Sequence, residues 1–178
     1  MKLYKLNTYL IAGPENINSE NVLKNETQES ALIRLVTDFA NDGLDIFQLR
    51  CKDLSKKEFY KIAERIGKYC ESRNLENIVI CFHGGEPLLA GAPLIVKATL
   101  LIRSAVPKST IVDASIQTNG SLLNKKAVEL FAANDIGVSI SIDGSAEIND
   151  LHRLDHAGRS TFAATMKGIK NLQKHPSI

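Results

Sequence analysis

Apolar and polar positions along the chain change period in a regular rhythm. Segments 3–12, 44–50, 77–82, 111–118 and 136–142 alternate with period two or form short β-branched runs, as strands do. Between and after them, apolar residues recur three to four apart, predicting helices at about 28–41, 55–73, 94–105, 125–133 and 161–174. Leu32, Leu35, Val36 and Phe39 make one such stripe, and Ile62, Ala63 and Ile66 another. Ser55 with Glu58 three residues on reads as a capping box, and Gly43 stands where a helix should stop. Stretch 14–25, rich in Asn and Ser, reads as an irregular polar loop. Five β–α units in succession predict an α/β fold with a parallel sheet and right-handed crossovers.

The strand faces sharpen this expectation. In the last strand Ile136, Val138, Ile140 and Ile142 oppose Gly137, Ser139, Ser141 and Asp143. The strand before it sets Val112, Ala114 and Ile116 against Asp113, Ser115, Gln117 and Asn119, and the middle strand sets Ile78, Ile80 and Phe82 against Asn77, Val79, Cys81 and His83. A doubly wound sheet buries both faces and reads as continuous apolar runs. One apolar face and one face that turns polar near the strand ends describe a curved sheet with a ligand at its top rim. An antiparallel sheet with one wet face is the alternative, and the interleaved helices speak against it. The expected architecture is a partial (β/α) barrel of about five parallel units in a single domain, 1–178. Five strands do not close an eight-stranded barrel, so both sheet edges stay open and self-association is expected.

Composition narrows the class of function. With 44% apolar and 24% charged residues, the chain is an ordinary globular protein rather than a disordered tail, a collagen-like repeat or a disulfide-dense miniprotein. A formal charge of +2, from 22 basic and 20 acidic residues, predicts no nucleic-acid partner. No run is apolar enough for a membrane span, and the first 14 residues make a poor signal peptide. Three cysteines, Cys51, Cys70 and Cys81, imply no disulfide framework, so a reducing cytoplasm is the expected location.

Candidate chemistry gathers where strands end. Gly84–Gly85, Gly120 and Gly144 each follow a strand and sit beside His83, Asn119 or Asp143. Glycines there either turn the chain or let backbone approach a ligand, and the pattern alone does not name the ligand. His152 and His156, four apart, lack a third metal ligand at a persuasive spacing, and Cys81 with His83 fits a small buried thiol as well as a site. No P-loop, Rossmann fingerprint or Ser–His–Asp arrangement is present. The residues themselves therefore name neither a catalytic residue nor a metal site.

Four motifs from about 77 to 175 resemble the core of radical S-adenosylmethionine enzymes, in particular the peptide-modifying SPASM-type branch that includes sulfatase maturases. They are HGGEPLL at 83–89, IQTNGSLLN at 116–124, SIDG at 141–144 and NDLHRLDHAGRSTF at 149–162. Intact relatives of that kind bind the cofactor, cleave it reductively and abstract hydrogen from a peptide side chain. The resemblance implies that Gly84, Gly85 and Glu86 meet the ammonium group of the methionyl moiety and that Ser141 and Arg153 hold its carboxylate. Gln117 and Asn119 would line the top of the cavity. An acceptor-only carboxylate suits an ammonium, and a permanently charged fork suits a carboxylate. Implied partners are the small-molecule cofactor and a peptide substrate.

The departures are equally specific. The family's [4Fe–4S] cluster needs cysteines spaced C-x3-C-x2-C. Laying FQLRCKDL on that motif matches only Cys51, with Phe47 and Leu54 in the other places. The family's usual Pro after SIDG is Ser145, and its usual His is Asn149. The chain is also expected to stop short of the family's remaining strands and auxiliary-cluster domain. The first 74 residues resemble a different enzyme, thiamine phosphate synthase, through YLIAGP at 9–14 and DGLDIFQLRCKDLSKKEFYKIA at 42–63. That resemblance implies a pyrimidine diphosphate site at Gln48, Arg50 and Lys52, while the family's Asn-Asp pair for Mg²⁺ is replaced by the start of the other family's motif.

The expectation is thus a composite, with a junction near 73–76: a segment 1–74 similar to thiamine phosphate synthase and a segment 75–178 similar to radical S-adenosylmethionine enzymes. Its origin could equally be natural fusion, truncation or construction. Its expected function is a radical-enzyme-like half barrel with part of the S-adenosylmethionine pocket and no cluster motif, hence inactive alone. The alternatives are a thiamine phosphate synthase-like transferase and a non-catalytic binding module or chimeric fragment.

Overall fold

The structure is a computed structural model that describes residues 9–12, 17, 19–27, 30–31, 34–35, 46–49, 55–72, 77–176 and 178. Five strands form, in chain order β1 (Tyr9–Ala12), β2 (Ile46–Leu49), β3 (Asn77–Phe82), β4 (Ile111–Thr118) and β5 (Ile136–Ile140). All their pairings are parallel, as the alternation with helices predicts. Among the described residues they form two sheets, β1–β2 and β3–β4–β5, and no single sheet of five is seen there. Among the described residues no ladder joins β2 to β3, and Asn77, Val79 and Cys81 on one face of β3 are exposed.

Among the described residues, five helices have both ends defined: α1 (Lys56–Ser72), α2 (Ala92–Ala105), α3 (Lys125–Ala132), α4 (Ala146–Asn149) and α5 (Phe162–Leu172). Four of them occupy the expected places. The expected helix over 28–41 is described only at Ser30, Ala31, Arg34 and Leu35, which are helical. The short α4 has no apolar stripe long enough to predict, and Pro87–Leu89 forms a 3-10 turn. Helix α1 starts immediately after Ser55, where the capping box placed it; Gly43 lies outside the described residues.

The core forms on the apolar face of the three-stranded sheet. Ala114, Ile116 and Ile136 pack with Ile95 and Val96 of α2 and with Ala127, Val128 and Phe131 of α3. A second cluster joins α1 to α2 through Ala63, Ala98 and Ile102, over Ile80 and Val112. The β4 burial pattern follows the predicted alternation, with Ala114, Ile116 and Thr118 buried. The opposite face is open: Val79 is 77% and Ile111 60% exposed. Burial of one face by helices fixes the register, because a one-residue slip would turn that face to water. It also brings the C-terminal ends of all three strands to one rim.

No helix among the described residues is long and apolar enough to cross a membrane.

Candidate functional site

The rim is built from three strand ends. After β3, the chain runs through exposed Gly84 and Gly85 at φ values of 103° and 57°, in the left-handed region that favours glycine. A Cβ on Gly85 would meet nothing within 4 Å, so conformation and not space selects glycine there. Glu86 then turns the loop back. Its Oε1 accepts hydrogen bonds from Leu88 N (2.9 Å) and Thr118 Oγ1 (2.7 Å), and its Oε2 accepts one from Asn119 N (2.8 Å). Thr118, buried, also accepts at Oγ1 from Gly120 N. The GGE loop is thereby pinned to the tip of β4 by a carboxylate that takes three donors from within the chain.

The tip of β4 is fixed from other sides as well. Asn119 Oδ1 accepts from Ser121 N at 2.9 Å, and the Asn119 carbonyl accepts from Thr165 Oγ1 of α5 at 2.9 Å. Asn171 of the same helix donates to the Leu123 carbonyl. Half-buried Gln117 donates through Nε2 to Ser141 Oγ at 2.7 Å, joining β4 to the end of β5. Ser141 N continues the parallel ladder by donating to Thr118 O, one residue past the end of β5.

Arg153 approaches from the segment after α4. Its Nε and Nη2 donate to Asp143 Oδ2 and Oδ1 at 2.6 and 2.9 Å, a bidentate pair. The fork expected to lie open for a ligand carboxylate is therefore held by a carboxylate of the chain itself. Hydrogen bonding to Arg153 holds the Asp143 carboxyl below the usual aspartate range, and the same contact raises Arg153 further.

The structure places Gly84, Gly85, Glu86, Gln117, Asn119, Ser141 and Arg153 around one end of the three-stranded sheet. Sequence reasoning did not foresee the internal engagement of Glu86 and Arg153, nor the parts played by Thr118, Asp143 and buried Asn149. Thr118 could have been found: a hydroxyl on the helix-facing side of β4 needs a buried partner. His152 and His156 are exposed, and no group of three or more metal-capable side chains occurs among the described residues. Gln48 lies in β2, paired with Ile11, while Arg50 and Lys52 lie outside the described residues, as does Cys51.

Comparison with known proteins decides the family. The profile of the Radical SAM superfamily matches residues 45–177, well over half of the sequence. The chain belongs to the Radical SAM superfamily. The match begins some thirty residues before the motifs identified above. It extends across 73–76 and takes in Gln48, Arg50 and Lys52, so residues 45–74 of the segment that resembles thiamine phosphate synthase fall inside the radical SAM match.

Among its relatives, a serine-type anaerobic sulfatase-maturating enzyme of Klebsiella aerogenes is 32% identical over 124 residues, covering 68% of this chain and 31% of that protein. A cysteine-type anaerobic sulfatase-maturating enzyme of Clostridium novyi is 32% identical over 114 residues, covering 64% and 30%. The solved structure of native anSMEcpe with bound AdoMet and Cp18Cys peptide superposes with a TM-score of 0.61 at 29% identity, over 65% of this chain and 32% of that one. The chain spans about a third of the length of these relatives.

Proposed function

We propose that the rim of β3–β4–β5 is an S-adenosylmethionine-binding half site of a peptide-modifying radical SAM protein. The observation that carries this reading is the GGE loop. Two left-handed glycines leave exposed backbone at the strand end, and Glu86 locks that backbone to β4. The methionyl ammonium is received by this loop, where carbonyl groups and the negative charge of Glu86 lie close together. Ser141, oriented by Gln117, and the uncommitted N–H groups of Arg153 receive the methionyl carboxylate. The relatives support a peptide as the substrate class, since one of their solved structures holds AdoMet together with a peptide.

The residues present fit the organic cofactor and do not fit the cluster. In this family a [4Fe–4S] cluster supplies the electron that cleaves the cofactor, and it rests on three closely spaced cysteines. Cys51, Cys70 and Cys81 are separated by 19 and 11 positions. We therefore propose that this chain binds S-adenosylmethionine without cleaving it. The open sheet face, with Val79 and Ile111 exposed, further favours self-association.

Thermal unfolding with and without millimolar S-adenosylmethionine tests the binding. A ligand at about ten times its Kd raises stability by roughly 1.4 kcal/mol and shifts the midpoint upward. An unchanged midpoint overturns the proposal. Production of 5′-deoxyadenosine after anaerobic reconstitution with iron and sulfide would overturn the claim that cleavage is lost.

A further inference from the structure

We propose that Asp143 is a positioning residue for Arg153, fixing the guanidinium so that its remaining N–H groups face the rim and select a ligand bearing a carboxylate. This inference rests on the binding reading above and adds a residue to it.

The argument is geometric. Arg153 is restrained at three separate points. Its N donates to the Asn149 carbonyl at 2.9 Å, its carbonyl accepts from Thr161 Oγ1 at 2.7 Å, and its side chain is gripped by both oxygens of Asp143. Asp143 is in turn tied to the same hub, because its N–H points at Asn149 Oδ1 at 3.4 Å, and Asn149 is wholly buried. Asn149 thus holds the backbone of both members of the pair. An isolated arginine on a surface samples many rotamers, and a ligand that captures it must order it. Here that ordering is already done.

A guanidinium carries five N–H groups, and the pair with Asp143 uses two. The others remain to bind, and the Arg153 side chain keeps 33% of its surface exposed. Asp143 also subtracts charge, which works against an anionic ligand. Its side chain is 40% exposed, so solvent screens that charge. The two hydrogen bonds that set orientation are not diminished in the same way. Orientation therefore outweighs repulsion, and Asp143 assists.

The test compares S-adenosylmethionine with decarboxylated S-adenosylmethionine, which lacks only the carboxylate, by calorimetric titration of the full chain. Arg153→Ala should weaken S-adenosylmethionine and leave the decarboxylated ligand unaffected. Asp143→Asn should do the same, with a loss of about tenfold, the scale of one immobilised side chain. The Arg153 Nε–H resonance of the ligand-free protein should be protected in the wild type and lost in Asp143→Asn. Circular dichroism checks that each variant is folded.

Equal or tighter S-adenosylmethionine binding by Asp143→Asn, with Arg153→Ala still impaired, makes Asp143 a competitor and overturns the inference while sparing the site. Equal weakening of both ligands gives Asp143 a structural role only and overturns it too. Unimpaired binding by Arg153→Ala removes the contact on which it depends. Failure of the wild type to bind S-adenosylmethionine removes the proposed function itself, and this inference with it.

Discussion

At the scale of single residues, the rim is held by acceptors that the chain fills from within. Glu86 illustrates the energetics. Replacing Thr118 by Val keeps the shape but removes the donor to Glu86 and the acceptor for Gly120 N–H. A buried amide left unpaired costs about 1–3 kcal/mol, so Thr118→Val should lower the unfolding free energy by that amount, read as a lower urea midpoint with an unchanged slope. The Asp143–Arg153 pair gives a dependence on pH. The folded-state pKa of Asp143 is depressed, so the pair's contribution is complete above the ordinary aspartate value and is lost as pH falls through the lower folded value. Arg153 is the main cause, and His152 acts in the same direction. Acid titration followed by circular dichroism should therefore show Asp143→Asn unfolding with a weaker pH dependence than the wild type in the most acidic part of the curve. At this scale the motifs drew attention to residues near the strand ends, but they did not reveal that Glu86 and Arg153 are already bonded inside the protein. Glu86 is 32 residues from Thr118, and Arg153 is 10 from Asp143. Neither separation has a periodicity that a linear pattern could display.

At the scale of elements, close approach and capping decide how helices meet the sheet. Helix α5 lies against the β4–α3 connection at Gly168, where an added Cβ would collide with the Gly120 carbonyl oxygen. Gly168→Ala should destabilise the fold by about 1–3 kcal/mol, read from thermal unfolding, because backbone must move to admit the methyl group. Since Thr165 of the same helix holds Asn119, the variant should also weaken S-adenosylmethionine binding at the proposed site. Arg103, in the last turn of α2, donates to the carbonyls of Asn134, Val112 and Asp135, closing the turn that leads into β5. Arg103→Ala should cost about 1–3 kcal/mol. Helix stripes and strand alternation were legible here because each element buries one face. The short α4 was not, being four residues long with no periodicity to read.

At the scale of the whole molecule, helices among the described residues cover one face of the three-stranded sheet, while Val79 and Ile111 on the other face are exposed. The exposed Val79 and Ile111 should produce concentration-dependent association in sedimentation velocity. Val79→Lys should suppress it, while a monomer at all concentrations in the wild type would contradict it. Among the described residues the strands form a two-strand and a three-strand sheet, where the β–α rhythm led to the expectation of five neighbouring strands. Rhythm predicts that strands are parallel, since crossovers by helices leave little choice, but it does not say which strands become neighbours.

The sequence by itself determined the types of the longer elements, the buried faces of β3, β4 and β5 and the motif positions, because these follow from local periodicity and from which residue types tolerate a left-handed turn. Family membership was legible from four short motifs for the same reason: Gly84, Gly85 and Gly120 are demanded by backbone conformation as well as by chemistry. Only the tertiary structure decided the pairing of strands, the pinning of Glu86 to β4 and the grip of Asp143 on Arg153. Those depend on distances between segments remote in sequence, which are set when the helices bury the apolar face and draw the strand ends together.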